Sequence, residues 1–343
     1  MTTPRTIHEL QTPALLVDHG LLRENLQTMS NARPGTQLRP HVKAHKCTEL
    51  ARLQHAAGHQ AFTCATIREV EGMAAAGLGT DLLLANEVLD MHRLGAVVAT
   101  GARVTVAVDS PETIKAAVEG GVREVVIDVN VGLPRCGCAV TDAAGLADAA
   151  RAKGLEVRGV MGYEGHLMLL PDPDDRRKQT EECMARLLTA HAEVGGDIIS
   201  AGGTGTYAVN TWANEIQAGS YLLMDTAYRA IPDLPFQQAL SLVTTVISRT
   251  PAANGIPGWA VVDAGLKSLG MDHGNPTIPG GTVWFCSDEQ VTWQPDDIAA
   301  AQIGERIRVL PAHVDPTIAL HARMWLVDGD DVIGELPVDL RGW

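Results

Sequence analysis

The sequence predicts an α/β protein: a (β/α)8 barrel joined to a second, β-rich domain. Three observations predict it. Between about residue 36 and residue 230, eight short β-rich runs alternate with longer amphipathic ones. Two of those runs, Val104–Asp109 and Glu124–Val131, are almost wholly apolar, as strands buried on both faces must be. After about residue 235 the alternation stops, and short strands split by turn residues take over. Strands alternating with helices require a parallel sheet, and the count of eight favours closure over an open doubly wound sheet.

In chain order the expected strands are Gln37–Lys43, Gln60–Cys64, Thr80–Ala85, Arg103–Asp109, Glu124–Asn130, Glu156–Gly162, Asp197–Ala201 and Glu215–Gln217. Between them Thr66–Ala76, Pro111–Glu119, Thr141–Lys153 and Arg177–Val194 carry helical periodicity, with Ser110, Thr141 and Asp142 as expected N-caps. Domain limits are expected at 21–233 for the barrel, and at 1–20 plus 234–343 for the β-rich part. The apolar run Ala14–Asp18 precedes the barrel and is expected to add a strand to the second domain. There the runs 241–250, 259–265, 281–286, 306–315, 322–329 and 331–343 are separated by Ala-Asn-Gly, Pro-Gly-Gly and Asp-Gly-Asp turns.

Composition narrows the function classes. The 343 residues include 27 basic and 41 acidic side chains, a formal charge of −14. So acidic a surface is repelled by nucleic-acid phosphates and anionic lipid, and neither is an expected partner. No apolar run approaches the roughly 20 residues of a membrane span, and the first residues lack a signal layout. Mean hydropathy is +0.03 and aromatics make up only 4%, so aliphatic residues must fill the core. The six cysteines are scattered, with one Cys136-x-Cys138 pair, which fits a reduced, cytoplasmic setting.

In a barrel, chemistry gathers at the C-terminal ends of the strands. The first ends in Arg-Pro-His-Val-Lys43-Ala-His-Lys, where partial burial of Lys43 would depress its pKa and suit it to Schiff-base chemistry. A solvated lysine with a packed stem is the plain alternative. The seventh strand runs into Ala-Gly-Gly203-Thr204-Gly205-Thr206-Tyr207, whose small residues let backbone N–H groups approach an anion. After the eighth, Gly219, Ser220 and Tyr221 can complete such a phosphate cup. Arg135 follows the fifth strand and offers a fixed cation, while Tyr163 and His166 follow the sixth and can stack, hydrogen-bond or move protons. In the β-rich part His313-Val-Asp315 would place an imidazole and a carboxylate on one face of a strand, a pair suited to a borderline or hard divalent ion.

These pieces occur in the order seen in a known family. The chain resembles the D-threonine aldolase and D-serine dehydratase group, whose barrel is similar to that of alanine racemase. The resemblance spans nearly the whole chain. RPHVKAHK is similar to the group's cofactor-lysine motif, AGGTGTY and AGSYLLMD to its phosphate segments, and VDAGLKSL, CSDEQ and PAHVDPT to its C-terminal segments. It implies pyridoxal 5′-phosphate on Lys43, and a phosphate cup of Gly203, Thr204, Gly205, Thr206, Gly219, Ser220 and Tyr221. Arg135 and Tyr163 would support the ring, and a divalent Mn, Mg or Zn would sit on His313 and Asp315. Dehydratases of the group carry His-x-Cys where this chain has His-x-Asp, so the resemblance favours the aldolases. It implies a lyase that cleaves a β-hydroxy D-amino acid to glycine and an aldehyde, with His166 as candidate base, in a homodimer. The alternatives are a dehydratase yielding a keto acid and ammonia, and a non-catalytic pyridoxal-phosphate-binding protein. Two departures stand out: the group's histidine lies further beyond the strand-six tyrosine than His166 does from Tyr163, and Met271-Asp272-His273-Gly274 differs from the usual run after Asp-Ala-Gly-Leu-Lys.

Overall fold

In a computed structural model describing residues 4–343, strand β1 (Ala14–Asp18) and helix α1 (His19–Ala32) open the chain. The alternating part follows as α2 (Thr48–Ala56), β2 (Phe62–Cys64), α3 (Ile67–Ala75), β3 (Leu82–Leu84), α4 (His92–Ala99), β4 (Val104–Val108), α5 (Pro111–Gly120), β5 (Glu124–Asp128), α6 (Ala143–Ala152), β6 (Glu156–Met161), α7 (Pro173–Val194), β7 (Ile198–Ala201) and β8 (Glu215–Ile216). Strands β2 to β8 form one parallel sheet in sequence order. All five residues of β4 are buried.

The first expected strand is present only as isolated bridges. Leu38 bridges to Ile216 and His41 to Thr63, both in the parallel sense, so residues 38–41 close β8 onto β2 and complete the barrel. Arg39 and His41 donate their N–H groups to Ile216 and Ala218, at 2.9 and 3.1 Å, and the Pro40 carbonyl accepts from Thr63 at 2.9 Å. Pro40 has no N–H to give, and a 3-10 turn starts at Val42, so no continuous ladder can form. Inside, Leu83, Ala107, Val126, Met161 and Ile198, one from each of β3 to β7, pack together.

Caps follow local chemistry. Ser110 and Thr113 make a reciprocal capping box at α5, and Asp172 caps α7. Thr141 and Asp142 do not cap by hydrogen bonds; they lie in a 3-10 turn leading into α6, and Asp142 takes the cap position with helical φ and ψ.

After α8 (Thr226–Arg229) come β9 (Leu240–Thr250), β10 (Trp259–Val262), β11 (Gly281–Cys286), β12 (Val291–Pro295), β13 (Arg306–Val309), α9 (Val314–Ala319), β14 (Arg323–Asp328) and β15 (Asp331–Pro337). These strands and β1 form an eight-stranded sheet in which β1 lies between β9 and β14. Its core includes Ile7, Leu10, Ala14, Leu16, Val243 and Val327.

The chain divides into two compact units. One takes residues through Leu26, Leu222–Ala230 and Pro235–Val338; the other takes Gln27–Tyr221, Ile231–Leu234 and Asp339–Trp343. The last residues therefore belong with the barrel. Asp339 accepts from the Thr48 N–H at 2.9 Å at the start of α2, and the Leu340 N–H donates to the Lys46 carbonyl at 3.0 Å. Leu340 is fully buried. Among the described residues no helix is long and apolar enough to cross a membrane.

Candidate active site

Lys43 lies in the 3-10 turn Val42–Ala44, at the C-terminal end of the closing segment, and is half-buried. Its Nζ stands 5.9 Å from the centre of the Tyr163 ring, and the Arg135 guanidinium carbon stands 5.3 Å from the same centre. A lysine from the first stave and an arginine from the loop after β5 thus converge on a tyrosine that follows β6. The neighbouring Lys46 is occupied: its Nζ donates to the fully buried Glu69. A shallow depression lined by Asp128, Asn130, Arg135, Cys136 and Tyr163 opens beside this group.

The loop after β7 has the form an anion cup needs. Among the described residues the N–H groups of Thr204 and Gly205 have no protein partner, although both residues are buried. Such donors are costly unless a ligand or water takes them. A Cβ at Gly203 would stand 2.7 Å from Met168 Sδ and 3.5 Å from the Tyr163 ring, so the loop backbone presses on the residues that follow β6. At Gly219 a Cβ would meet the His41 carbonyl oxygen at 2.5 Å.

The loop is held from below by Glu164, fully buried and not singled out by the sequence reading. Its carboxylate accepts from the Gly202 N–H at 3.1 Å, the Thr206 hydroxyl at 2.8 Å and the Asn210 amide at 3.0 Å. Thr206 is therefore a loop-fixing residue, its hydroxyl committed to Glu164. The Tyr221 N–H donates to Thr204 Oγ1 at 2.9 Å, and its phenol, fully buried and pushed up in pKa by that burial, accepts from Gln54 at 2.9 Å. Tyr221 braces the cup from behind. Ser220 is 9% exposed beside it. His166 is exposed in the turn Gly165–Leu167, its ring beside Gly132 and Arg186.

In the β-rich unit His313 and Asp315 are not on a strand. His313 is the N-cap residue of α9 and Asp315 lies in its first turn. Pro316 explains the difference: its fixed φ and missing N–H suit the first turn of a helix and interrupt a ladder. The two side chains meet nonetheless, His313 Nε2 lying 3.4 Å from Asp315 Oδ2. His313 Nδ1 is 2.7 Å from Asp272 Oδ2, and the His273 ring stacks on His313 with centres 3.9 Å apart. Burial lowers the His313 pKa, but the carboxylates of Asp315 and Asp272 outweigh it and hold the imidazole above its usual range. Asp225, fully buried, accepts from the Val314 N–H at 2.8 Å and the Tyr228 N–H at 2.9 Å, which fixes the backbone between the two candidate ligands. Burial raises its carboxyl to about 6.

The family model for the alanine racemase N-terminal domain matches residues 17–227. The chain belongs to the alanine racemase N-terminal domain family. A second model, described as a putative serine dehydratase domain, matches residues 239–327 of this alanine-racemase-like chain. Over 97% of its length it is 32% identical to a D-threonine aldolase of Arthrobacter sp. and 31% identical to a 3-hydroxy-D-aspartate aldolase of Paracoccus denitrificans, covering 93% of each. The crystal structure of D-threonine aldolase from Filomicrobium marinum superposes with a TM-score of 0.91 at 34% identity, over 100% of this chain and 99% of that one. Alanine-racemase-like barrels imply pyridoxal phosphate.

Proposed function

We propose that this chain is a pyridoxal-phosphate lyase that splits a β-hydroxy D-amino acid between Cα and Cβ, releasing glycine and an aldehyde. The observation that carries the reading is the convergence of Lys43 and Arg135 on Tyr163 beside a loop with two unpartnered N–H donors. The residues fit the cofactor: an amine to bind it covalently, donors for its phosphate, and a cation and a phenol beside its ring. Likeness to the two aldolases supports the choice of bond.

The cofactor, when bound, supplies an electron sink that lets a bond to Cα break. Lys43 would hold it through its side-chain amine. The Thr204 and Gly205 N–H groups would donate to its phosphate oxygens. Arg135 and Tyr163 orient the ring, Arg135 as a permanent positive charge. One nitrogen and one carboxylate oxygen 3.4 Å apart suit a divalent cation on His313 and Asp315. Such a cation would supply Lewis acidity beside the substrate. His166 is exposed and hydrogen-bonded to no described residue, and serves as the base only where the substrate hydroxyl comes to it.

The test is product analysis of the holoenzyme with Mn²⁺ and D-threonine, L-threonine or D-serine. The expected result is glycine and acetaldehyde from D-threonine alone, abolished by EDTA and in Asp315→Ala. Lys43→Ala is expected to lose both the visible absorbance and the activity. Keto acid and ammonia without aldehyde would make the protein a dehydratase instead.

A further inference from the structure

We propose that Asp272 is a positioning residue for a divalent cation on His313 and Asp315: it holds the His313 imidazole with the proton on Nδ1 and leaves Nε2 to the metal. The inference rests on the reading above that these two residues bind a cation. An imidazole can ligate through either nitrogen, and the partner of one decides which is left for the metal. Here Nδ1 faces Asp272 Oδ2 at 2.7 Å, while Nε2 faces Asp315 Oδ2 at 3.4 Å. The carboxylates therefore have separate tasks. Asp272 accepts on one side of the ring; Asp315 joins the other nitrogen as a ligand.

The segment that carries Asp272 is fixed by the fold. The Gly270 N–H donates to Thr317 Oγ1 at 3.0 Å, and that hydroxyl donates to the His313 carbonyl at 2.6 Å. Gly270 lies so close to α9 that a Cβ there would reach Pro316 Cγ at 2.3 Å. Gly270, two residues before Asp272, is thus fastened to the same turn of helix that presents the two ligands.

His273 is part of this arrangement without being a ligand. A metal lies in the plane of each imidazole that binds it. The His273 and His313 planes are within 8° of parallel with centres 3.9 Å apart, so no single ion can lie in both. His273 covers a face of His313 and limits its tilt. Asp272 is 56% exposed, so solvent screens its hold and the effect belongs at the low end of the 10–100-fold range for such partners.

The experiment measures Mn²⁺ binding to chelator-treated holoenzyme by electron paramagnetic resonance of the free ion, with cofactor absorbance and thermal midpoint as checks on folding. Asp272→Ala is expected to bind one Mn²⁺ per chain about 10-fold more weakly, with both checks unchanged. Asp272→Asn should fall between it and the parent, because an amide oxygen still accepts from Nδ1–H. His273→Phe keeps a flat ring on His313 and should bind within about twofold of the parent. Parent-like affinity in Asp272→Ala would overturn the proposal, and so would loss of binding in His273→Phe, which would make His273 a ligand. Full binding in His313→Ala, or none in the parent, would refute the metal reading itself and the proposal with it.

Discussion

Gly205 has no room for a side chain, since a Cβ there would stand 2.1 Å from the Met168 carbonyl oxygen. Gly205→Ala must therefore displace backbone, at about 1–3 kcal/mol. The expected outcome is a lower thermal midpoint together with weaker cofactor retention, read from absorbance after dialysis. Asp128 makes a different case. It is 5% exposed, and burial first, then Glu87 and Asp109, push its carboxyl well above the usual range against the pull of Arg135. Its folded pKa lies above its unfolded one, so the folded chain keeps a proton that the unfolded chain releases. Stability from this group rises as pH falls from the folded value toward the unfolded one, near 3.9. Asp128→Asn keeps the shape of the protonated acid. It should change stability by less than about 1 kcal/mol at pH 5 and reduce the gain on lowering the pH from 8 to 5, measured by urea unfolding. Neither Asp128 nor Glu164 could be singled out by motif. Glu164 meets its partners 38, 42 and 46 residues away, and no local pattern encodes that. The place of Lys43 beyond the first stave was legible because a strand end followed by a lysine is a local signal.

Among the elements, α9 shows where a two-residue period misleads. His313-Val-Asp315 has strand spacing, but Pro316 decides for a helix, and Asp225 secures it from 89 residues away. Asp225→Ala would strand the Val314 and Tyr228 N–H groups in a buried place, at about 1–3 kcal/mol for each group. The expected outcome is a lower urea midpoint and weaker Mn²⁺ binding, since the backbone between His313 and Asp315 loses its anchor. The first stave misleads in the same sense. Apolar flanks marked a strand over Gln37–Lys43, whereas Pro40 and the turn at Val42 leave it as bridges. Long apolar runs such as β4 and β5 were legible, because burial on both faces leaves little else for them to be.

For the whole molecule, a charge network holds the barrel together at the end opposite Lys43. Asp81 lies 3.2 Å from Arg39 and 2.7 Å from Arg158, and Arg39 reaches Glu215 at 2.8 Å. Burial opposes ionisation of Asp81, but its bonds to Arg158 and Arg39 prevail and hold its carboxyl below the usual range. A depressed pKa stabilises the fold at pH values above the unfolded pKa, and the contribution is lost as pH falls through the folded one. Asp81→Asn is expected to cost about 3–5 kcal/mol at pH 7, and the difference from the parent should shrink below pH 4, followed by denaturant midpoints. Such a network joins β6, β8, the closing segment and the residue just ahead of β3, and the sequence shows its charges but not their pairing.

The fastening of the lysine loop also has an order in time. Thr48 and Asp339 are 291 residues apart. A ribosome adding about 5–20 residues per second reaches the second roughly 15–60 s after the first. The last stave ends at Ile216, so for about 6–25 s of that interval every stave of the barrel exists while the turn bearing Lys43 lacks its last clasp. Cofactor capture on the emerging polypeptide would then wait until Asp339 has emerged and closed on Thr48.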